Sequence, residues 1–167
     1  RFALLGPREV GQEGFREGKV IETALKSIEA VAEELEARTA VFVAPPEFGP
    51  TKTHKSVVRE FLAAVKSRFD RVVFEPAPGW DADECDELTR EVGAVAARDP
   101  LITGLSKLPT AYYRLHGPAG HKSRYEDPAI ERLGDIARGA KHTDATYVFT
   151  NVDMFADAKR FKKALKI

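Results

Sequence analysis

The chain has 167 residues, of which 43% are hydrophobic and 31% charged, and this is enough for one well-packed domain. Lys plus Arg and Asp plus Glu number 26 each, so the formal net charge at pH 7 is zero and the simplest electrostatic argument for nucleic-acid binding is excluded. No run of about 20 apolar residues predicts a membrane span. The lone Cys85 excludes an internal disulfide and fits a reducing compartment. We therefore expect a single cytoplasmic domain over residues 1–167.

Two further features concern the origin of the chain. Asn151 is the only Asn and Gln12 the only Gln, and scarce amides together with dense charge are typical of hyperthermophilic proteins. The chain also begins at Arg1 rather than at a Met. We therefore expect an N-terminally truncated domain from a thermophile.

Hydrophobic spacing predicts helices and strands in alternation. Apolar residues recur every three or four positions in the predicted helices and form short continuous runs in the predicted strands. Asp81 with Glu84 resembles a capping box, and Asp127 before Pro128 resembles an N-cap followed by a first-turn proline. In chain order we predict a helix over 20–35, a strand over 39–43, a helix over 57–69, a strand over 71–75, a helix over 81–92, strands over 94–97 and 112–115, a helix from 127, a strand over 145–150 and a helix over 154–166.

This alternation predicts an α/β fold with a parallel sheet. Two folds fit five predicted strands. One is a small flavodoxin-like open sheet, and the other is a TIM barrel that lacks its N-terminal strands, because a complete barrel has eight.

Polar residues follow the predicted strands at their C-terminal ends, where parallel α/β proteins bind ligands. The set comprises residues 45–47, Glu75, Asp99, Arg114 with His116, and Asn151 with Asp153. The stretch AYYRLHG at 111–117 is the most informative, because apolar residues lead directly into Arg114 and His116 before Gly117 ends the strand.

Arg114 and His116 are two positions apart, so they project from one side of the strand and can meet one ligand. Arg114 suits a phosphate or carboxylate group, and His116 suits acid–base catalysis or metal ligation. The alternatives are a salt bridge of Arg114 with Glu75 or Asp99, and a structural hydrogen-bonded His116.

For each of the other candidate residues, a structural role is the alternative to a functional one. Glu75 serves as a general base, a metal ligand or one half of a structural ion pair. Asn151 contacts a ligand or caps the last helix, and Trp80 and Tyr125 stack on a ligand or cover the core. We expect three histidines to be solvated in polar loops, namely His54, His121 and His142.

These motifs resemble the YecE-like family, domain of unknown function seventy-two. The similarity lies in PPEF at 45–48, VVFEP at 72–76 followed by Trp80, YYRLHG at 112–117, Tyr125, and VFTNVDMFADAKRF at 148–161. The resemblance implies a TIM-barrel protein of which this chain is the C-terminal two-thirds, and it favours the truncated barrel over the open sheet.

The family pattern is retained at Glu75, Arg114, His116 and Asn151, whereas many relatives have Gln, Ser and Arg at the positions of Val43, Glu47 and Ala77. The resemblance carries no established activity. Similarity of the family's barrel to endonuclease IV and xylose isomerase implies phosphoester or sugar chemistry by fold analogy alone.

The leading hypothesis is a hydrolase acting on a phosphorylated or nucleic-acid-related substrate. Arg114 would hold the anionic group, Glu75 and His116 would act as acid–base residues or ligands of a divalent metal, and Asn151 would orient the substrate. The alternative is a non-catalytic module that binds nucleic acid or a protein. A third hypothesis is a scaffold with no activity by itself.

Overall fold

The computed structural model describes residues 2–166 and alternates strands with helices. The strands are β1 Ala3–Leu5, β2 Thr39–Val43, β3 Arg71–Glu75, β4 Val95–Arg98, β5 Thr110–Leu115 and β6 Asp144–Phe149. The helices are α1 Arg8–Gln12, α2 Lys19–Glu34, α3 Lys52–Val65, α4 Ala82–Glu91, α5 Pro100–Thr103, α6 Asp127–Gly139 and α7 Met154–Leu165. Within residues 2–166, none of these helices has the length and apolar character to cross a membrane.

The order of the strands distinguishes the two predicted folds. Strands that are neighbours in the sheet are neighbours in the chain, from β1 to β6, and every pair is parallel. A flavodoxin-like sheet places its first strand between the second and third, whereas a TIM barrel keeps the strands in sequential order. The predicted fold class, an α/β fold of incomplete TIM-barrel type, is therefore confirmed, and the flavodoxin-like alternative is wrong.

The chain divides into two compact units, and the division falls within β4. The first unit ends at Ala96, and here β4 pairs with β3 through Val95 and Ala96. The second begins at Ala97, and here β4 pairs with β5 through Ala97 and Arg98. Each unit has its own set of buried apolar side chains.

Aromatic rings form the centre of the first unit. The ring of Phe15 meets those of Phe48, Phe61 and Phe74 edge to face, with centroids 5.1, 5.3 and 5.7 Å away. Phe15 is buried although its φ of 61° lies in the left-handed region, which costs an L-residue about 1–2 kcal/mol. Burial of a Phe side chain stabilises by about 1.5–3 kcal/mol, so packing offsets this backbone strain.

Close packing of α6 against α7 organises the second unit. Leu133 and Phe161 are buried with Leu115 of β5. Gly134 lies so near α7 that a Cβ at this position would be 2.9 Å from the Cβ of Ala164. The absence of a side chain at Gly134 thus permits the two helices to approach.

Most element boundaries lie within one residue of the predicted ones, but α3 spans Lys52–Val65 rather than 57–69, and β5 begins at Thr110 rather than at 112. Asp81 caps α4 by accepting a hydrogen bond of 2.8 Å from the backbone N–H of Glu84. At α6 the predicted cap is wrong by one residue, because Glu126 is the N-cap and Asp127 is already helical. β4 and β6 are each displaced by one residue from the predicted ranges.

Three elements are absent from the prediction, namely β1, α1 and α5. They contain three, five and four residues, which is too short for a hydrophobic period to be recognised.

Two of the histidines expected to be solvated are half-buried instead. The ring of His54 stacks on Phe48 with centroids 4.0 Å apart. His142 places Nε2 2.8 Å from the hydroxyl of Tyr113. Cys85 is buried on the inner face of α4, as expected of a core cysteine.

Candidate functional site

Three neighbouring strands of the second unit end in polar residues. Asp99 follows β4, Arg114 and His116 lie at the end of β5, and Thr150 and Asn151 follow β6. β5 and β6 are paired over their full lengths, so the residues after them leave the sheet side by side.

The charges of the site favour a neutral imidazole at His116. Arg114 is only 8% exposed, and burial lowers the pKa of its guanidinium. The pKa of His116 is lowered by burial first and by the positive charge of Arg114 second, while the negative charge of Asp99 acts in the opposite direction. Near neutral pH His116 is therefore set up to accept a proton rather than to donate one.

Asp99 and Tyr125 support the end of β5 from one side. Burial raises the pKa of Asp99, whose Oδ1 accepts a hydrogen bond of 2.9 Å from the N–H of Leu101. The hydroxyl of Tyr125 is hydrogen-bonded to Asp99 and accepts a bond of 2.8 Å from the N–H of Gly117. Burial, and then the charge of Asp99, raise the pKa of Tyr125 to about 12, so its hydroxyl remains the proton donor to the carboxylate.

Thr150 orients two imidazole rings. Its hydroxyl donates to the carbonyl of Leu115 at 3.3 Å and lies 2.6 Å from Nδ1 of His116. Because a hydroxyl has one proton, both bonds form only when Nδ1 of His116 carries the imidazole proton. The carbonyl of Thr150 lies 2.9 Å from Nδ1 of His121, and a carbonyl only accepts, so this Nδ1 is also protonated. In both neutral rings the basic nitrogen is consequently Nε2.

Asn151 connects the loop after β6 to the loop after β5. The side chain is 2% exposed, and its Nδ2 donates to the carbonyl of Ser123 at 3.1 Å and to Oδ2 of Asp157 at 2.7 Å. The fully buried Asp157 in turn accepts a bond of 2.6 Å from Arg160. Oδ1 of Asn151 accepts no hydrogen bond from residues 2–166. The bonded atoms of Asn151 thus hold the loops in place.

Two solved structures share this architecture. A DUF72 family protein from Enterococcus faecalis matches with a TM-score of 0.72 and 14% sequence identity, over 100% of this chain and 74% of its own. A DUF72 family protein from Thermotoga maritima matches with a TM-score of 0.71 and 19% identity, over 99% of this chain and 74% of its own. The chain has the DUF72 fold. No protein-family model matches the sequence, and no curated protein does.

The DUF72 fold agrees with the resemblance in the sequence motifs, and it brings several predicted residues together. Arg114 and His116 interact electrostatically, and Tyr125 contacts Asp99 beside them. Asn151 lies next to Thr150, which binds His116. Their roles toward a ligand stay predictions.

Glu75 and Trp80 belong to the first unit. Glu75 is half-buried at the end of β3, and its backbone carbonyl accepts a bond of 2.9 Å from Ala44. The indole N–H of Trp80 donates to the carbonyl of Phe48 at 2.7 Å, and its ring packs on Phe74 with centroids 5.6 Å apart. Trp80 therefore has a core-packing role, and the ligand roles of both residues stay predictions.

A metal site has little support from the side chains. In the part of the chain that the structure describes, no group of three or more His, Cys, Asp and Glu residues is arranged to hold a metal ion. The roles of Glu75 and His116 as ligands of a divalent metal stay predictions.

Two further residues at this strand end, His121 and Thr150, are not predicted from the sequence. His121 is exposed, as expected, but it contacts His116 with ring centroids 4.9 Å apart. Gly117 and Gly120 both have positive φ values and turn the chain, which brings His121 back beside the strand end. The two glycines between the histidines are the available sequence signal.

Proposed function

We propose that the chain is a member of the DUF72 family and that the end of β5 binds the phosphoryl group of a substrate and hydrolyses its ester. The observation that carries this proposal is the pairing of Arg114 with His116: they lie two positions apart, and the charge of one lowers the pKa of the other. Arg114 holds phosphoryl oxygens, and His116 removes a proton from the attacking water.

The physical properties of the two groups suit these tasks. A guanidinium donates two parallel hydrogen bonds to phosphate oxygens, and a partly buried one interacts more strongly because less water screens it. A neutral imidazole with a lowered pKa remains an acceptor of protons at neutral pH. Asp99 and Tyr125 position the strand end, and the buried Asn151 holds the loop after β6 in place through the two hydrogen bonds of its Nδ2.

The proposal predicts that Arg114→Gln weakens binding of inorganic phosphate, measured by calorimetry. A charge-assisted hydrogen bond contributes about 1.5–3 kcal/mol, which corresponds to a loss of affinity of about 10- to 100-fold. Arg132→Gln is the matched control, because Arg132 is an exposed cation on α6. Hydrolysis of 4-nitrophenyl phosphate is followed in the same variants.

The outcomes separate the proposed hydrolase from its alternative. Equal phosphate affinity in Arg114→Gln and wild type contradicts the proposal. Salt-dependent binding of a single-stranded oligonucleotide, without hydrolysis of any phosphate ester, indicates the non-catalytic binding module instead. A large loss of folding stability in Arg114→Gln with unchanged binding indicates a structural role for Arg114.

A further inference from the structure

His116 and His121 form a pair of imidazoles that the proposed function uses only in part. Their ring centroids are 4.9 Å apart and their planes lie at 76° to each other. Both rings are anchored through Nδ1 to the same residue, Thr150, with distances of 2.6 Å to its hydroxyl and 2.9 Å to its carbonyl. Both therefore have Nε2 as the nitrogen that exchanges protons.

The surroundings of the two rings differ in a way that separates an acid from a base. His116 is half-buried beside the cationic Arg114, and both conditions disfavour an imidazolium. His121 is exposed to water and lies on the open side of the pair. Two imidazoles in contact, one half-buried beside a cation and the other exposed to water, are suited to opposite tasks at one reacting group.

We propose that His121 is the general acid of this site and that the substrate is a phosphodiester, an inference that rests on the proposed function. Nε2 of His116 takes a proton from water as the water oxygen forms a bond to phosphorus. The bond from phosphorus to the leaving oxygen breaks, and its electron pair stays on that oxygen. Nε2–H of His121 protonates this oxygen. The products are a phosphomonoester and an alcohol, and water is the only co-reactant.

The charges and the leaving group favour a diester over a monoester. A phosphodiester has one negative charge, which one guanidinium, that of Arg114, balances. Its leaving group is an alkoxide, which is a poor leaving group unless it receives a proton, so a general acid beside the base has a function there.

The leaving group provides the test. Wild type and variants are assayed with dithymidine monophosphate, whose leaving group is an alkoxide, and with thymidine 5′-(4-nitrophenyl phosphate), whose leaving group needs no proton. His121→Asn retains an N–H donor toward Thr150 but lacks the distal ring nitrogen. Lys122→Gln is the control, because Lys122 is an exposed cation next to His121 in the chain.

We expect His121→Asn to slow the dinucleotide reaction about 100-fold and the aryl ester less than about 5-fold, because only the alkoxide requires the acid. His116→Asn slows both reactions alike, and Lys122→Gln slows neither. Glycerophosphocholine, a lipid-derived diester, is assayed as a third substrate. Its rate of hydrolysis relative to that of the dinucleotide shows which of the two sources of diester the site prefers.

Three results overturn the inference, and they differ in what they say of the proposed function. If His121→Asn slows both diesters equally, or neither, His121 is not the general acid. If the protein hydrolyses 4-nitrophenyl phosphate through Arg114 but no diester, the substrate class is wrong and the proposed function stands. If phosphate does not bind at all, both this inference and the proposed function are wrong.

Discussion

His116 is subject to three influences on its pKa. Burial and the charge of Arg114 lower it below 6.5, the ordinary value, and the charge of Asp99 opposes them. Arg114→Gln is therefore expected to raise the pKa of His116, and Asp99→Asn to lower it. The measurement is the titration of the His116 ring protons by NMR, with Arg132→Gln as the control. Shifts of the same sign in both variants would mean that rearrangement, rather than charge, dominates.

The same lowered pKa makes folding stability depend on pH with a definite sign. The unfolded chain binds a proton at His116 more readily than the folded protein, so the free energy of unfolding rises with pH across this interval. The contribution of His116 is complete above about pH 6.5, the unfolded value, and is lost as the pH falls toward the folded pKa. Asp99, whose pKa burial raises, acts in the opposite direction at lower pH.

The loops after β5 and β6 are the elements that determine the position of His121. The N–H of Val152 donates to the carbonyl of His121 at 2.6 Å, and Arg124 pairs with Asp153 at 2.8 Å. With the Asn151 bond to Ser123, these contacts join the two loops at successive positions. The ion pair of the exposed Arg124 with Asp153 contributes little stability. The backbone bond of Val152 and the buried side-chain amide of Asn151 therefore contribute most to holding the two loops together.

The loop after β5 contains two glycines with positive φ, of which only one is also sterically crowded. Substituting each by Ala therefore separates the cost of backbone strain from the cost of steric conflict. Gly117 has φ 95°, and a Cβ there would lie 2.6 Å from the carbonyl oxygen of Gly120. Gly120 has φ 87°, and nothing lies within 4 Å of its Cβ position. Ala at either position incurs the left-handed cost of about 1–2 kcal/mol. Only Gly117→Ala adds the steric conflict.

We therefore expect Gly117→Ala to lower the free energy of unfolding by about 1–3 kcal/mol more than Gly120→Ala does. Chemical denaturation of both variants measures the difference. Equal losses would show that the loop relaxes without cost, and the fixed placement of His121 would then lose its structural basis.

At the scale of the whole molecule, the sequence predicts the alternation of strands and helices because each buried strand has a continuous apolar run and each longer helix an apolar stripe. It does not predict β1, whose three residues have no pattern of their own and become a strand by pairing with β2. The sequence also predicts Arg114 and His116 as a pair, because spacing along one strand is local information. It does not predict the contact of His121 with His116. This contact depends on two turns and on Thr150, which lies 34 residues after His116.

The division within β4 has a thermodynamic consequence that can be measured. Buried apolar side chains cluster within each unit, with Phe42 in the first cluster and Leu133 in the second. Phe42→Ala is expected to cost about 3–5 kcal/mol and Leu133→Ala about 2–5 kcal/mol, because each leaves a cavity in a close-packed core.

Native-state hydrogen exchange then shows which strands and helices lose amide protection in each variant. If each unit opens on its own, Leu133→Ala lowers amide protection in β5, β6, α6 and α7 and leaves β2 and β3 unchanged, while Phe42→Ala has the opposite distribution. Since the candidate site lies in the second unit, Leu133→Ala should also weaken phosphate binding, which Phe42→Ala should leave intact. Uniform loss of protection in both variants would instead show that the chain unfolds as one cooperative unit.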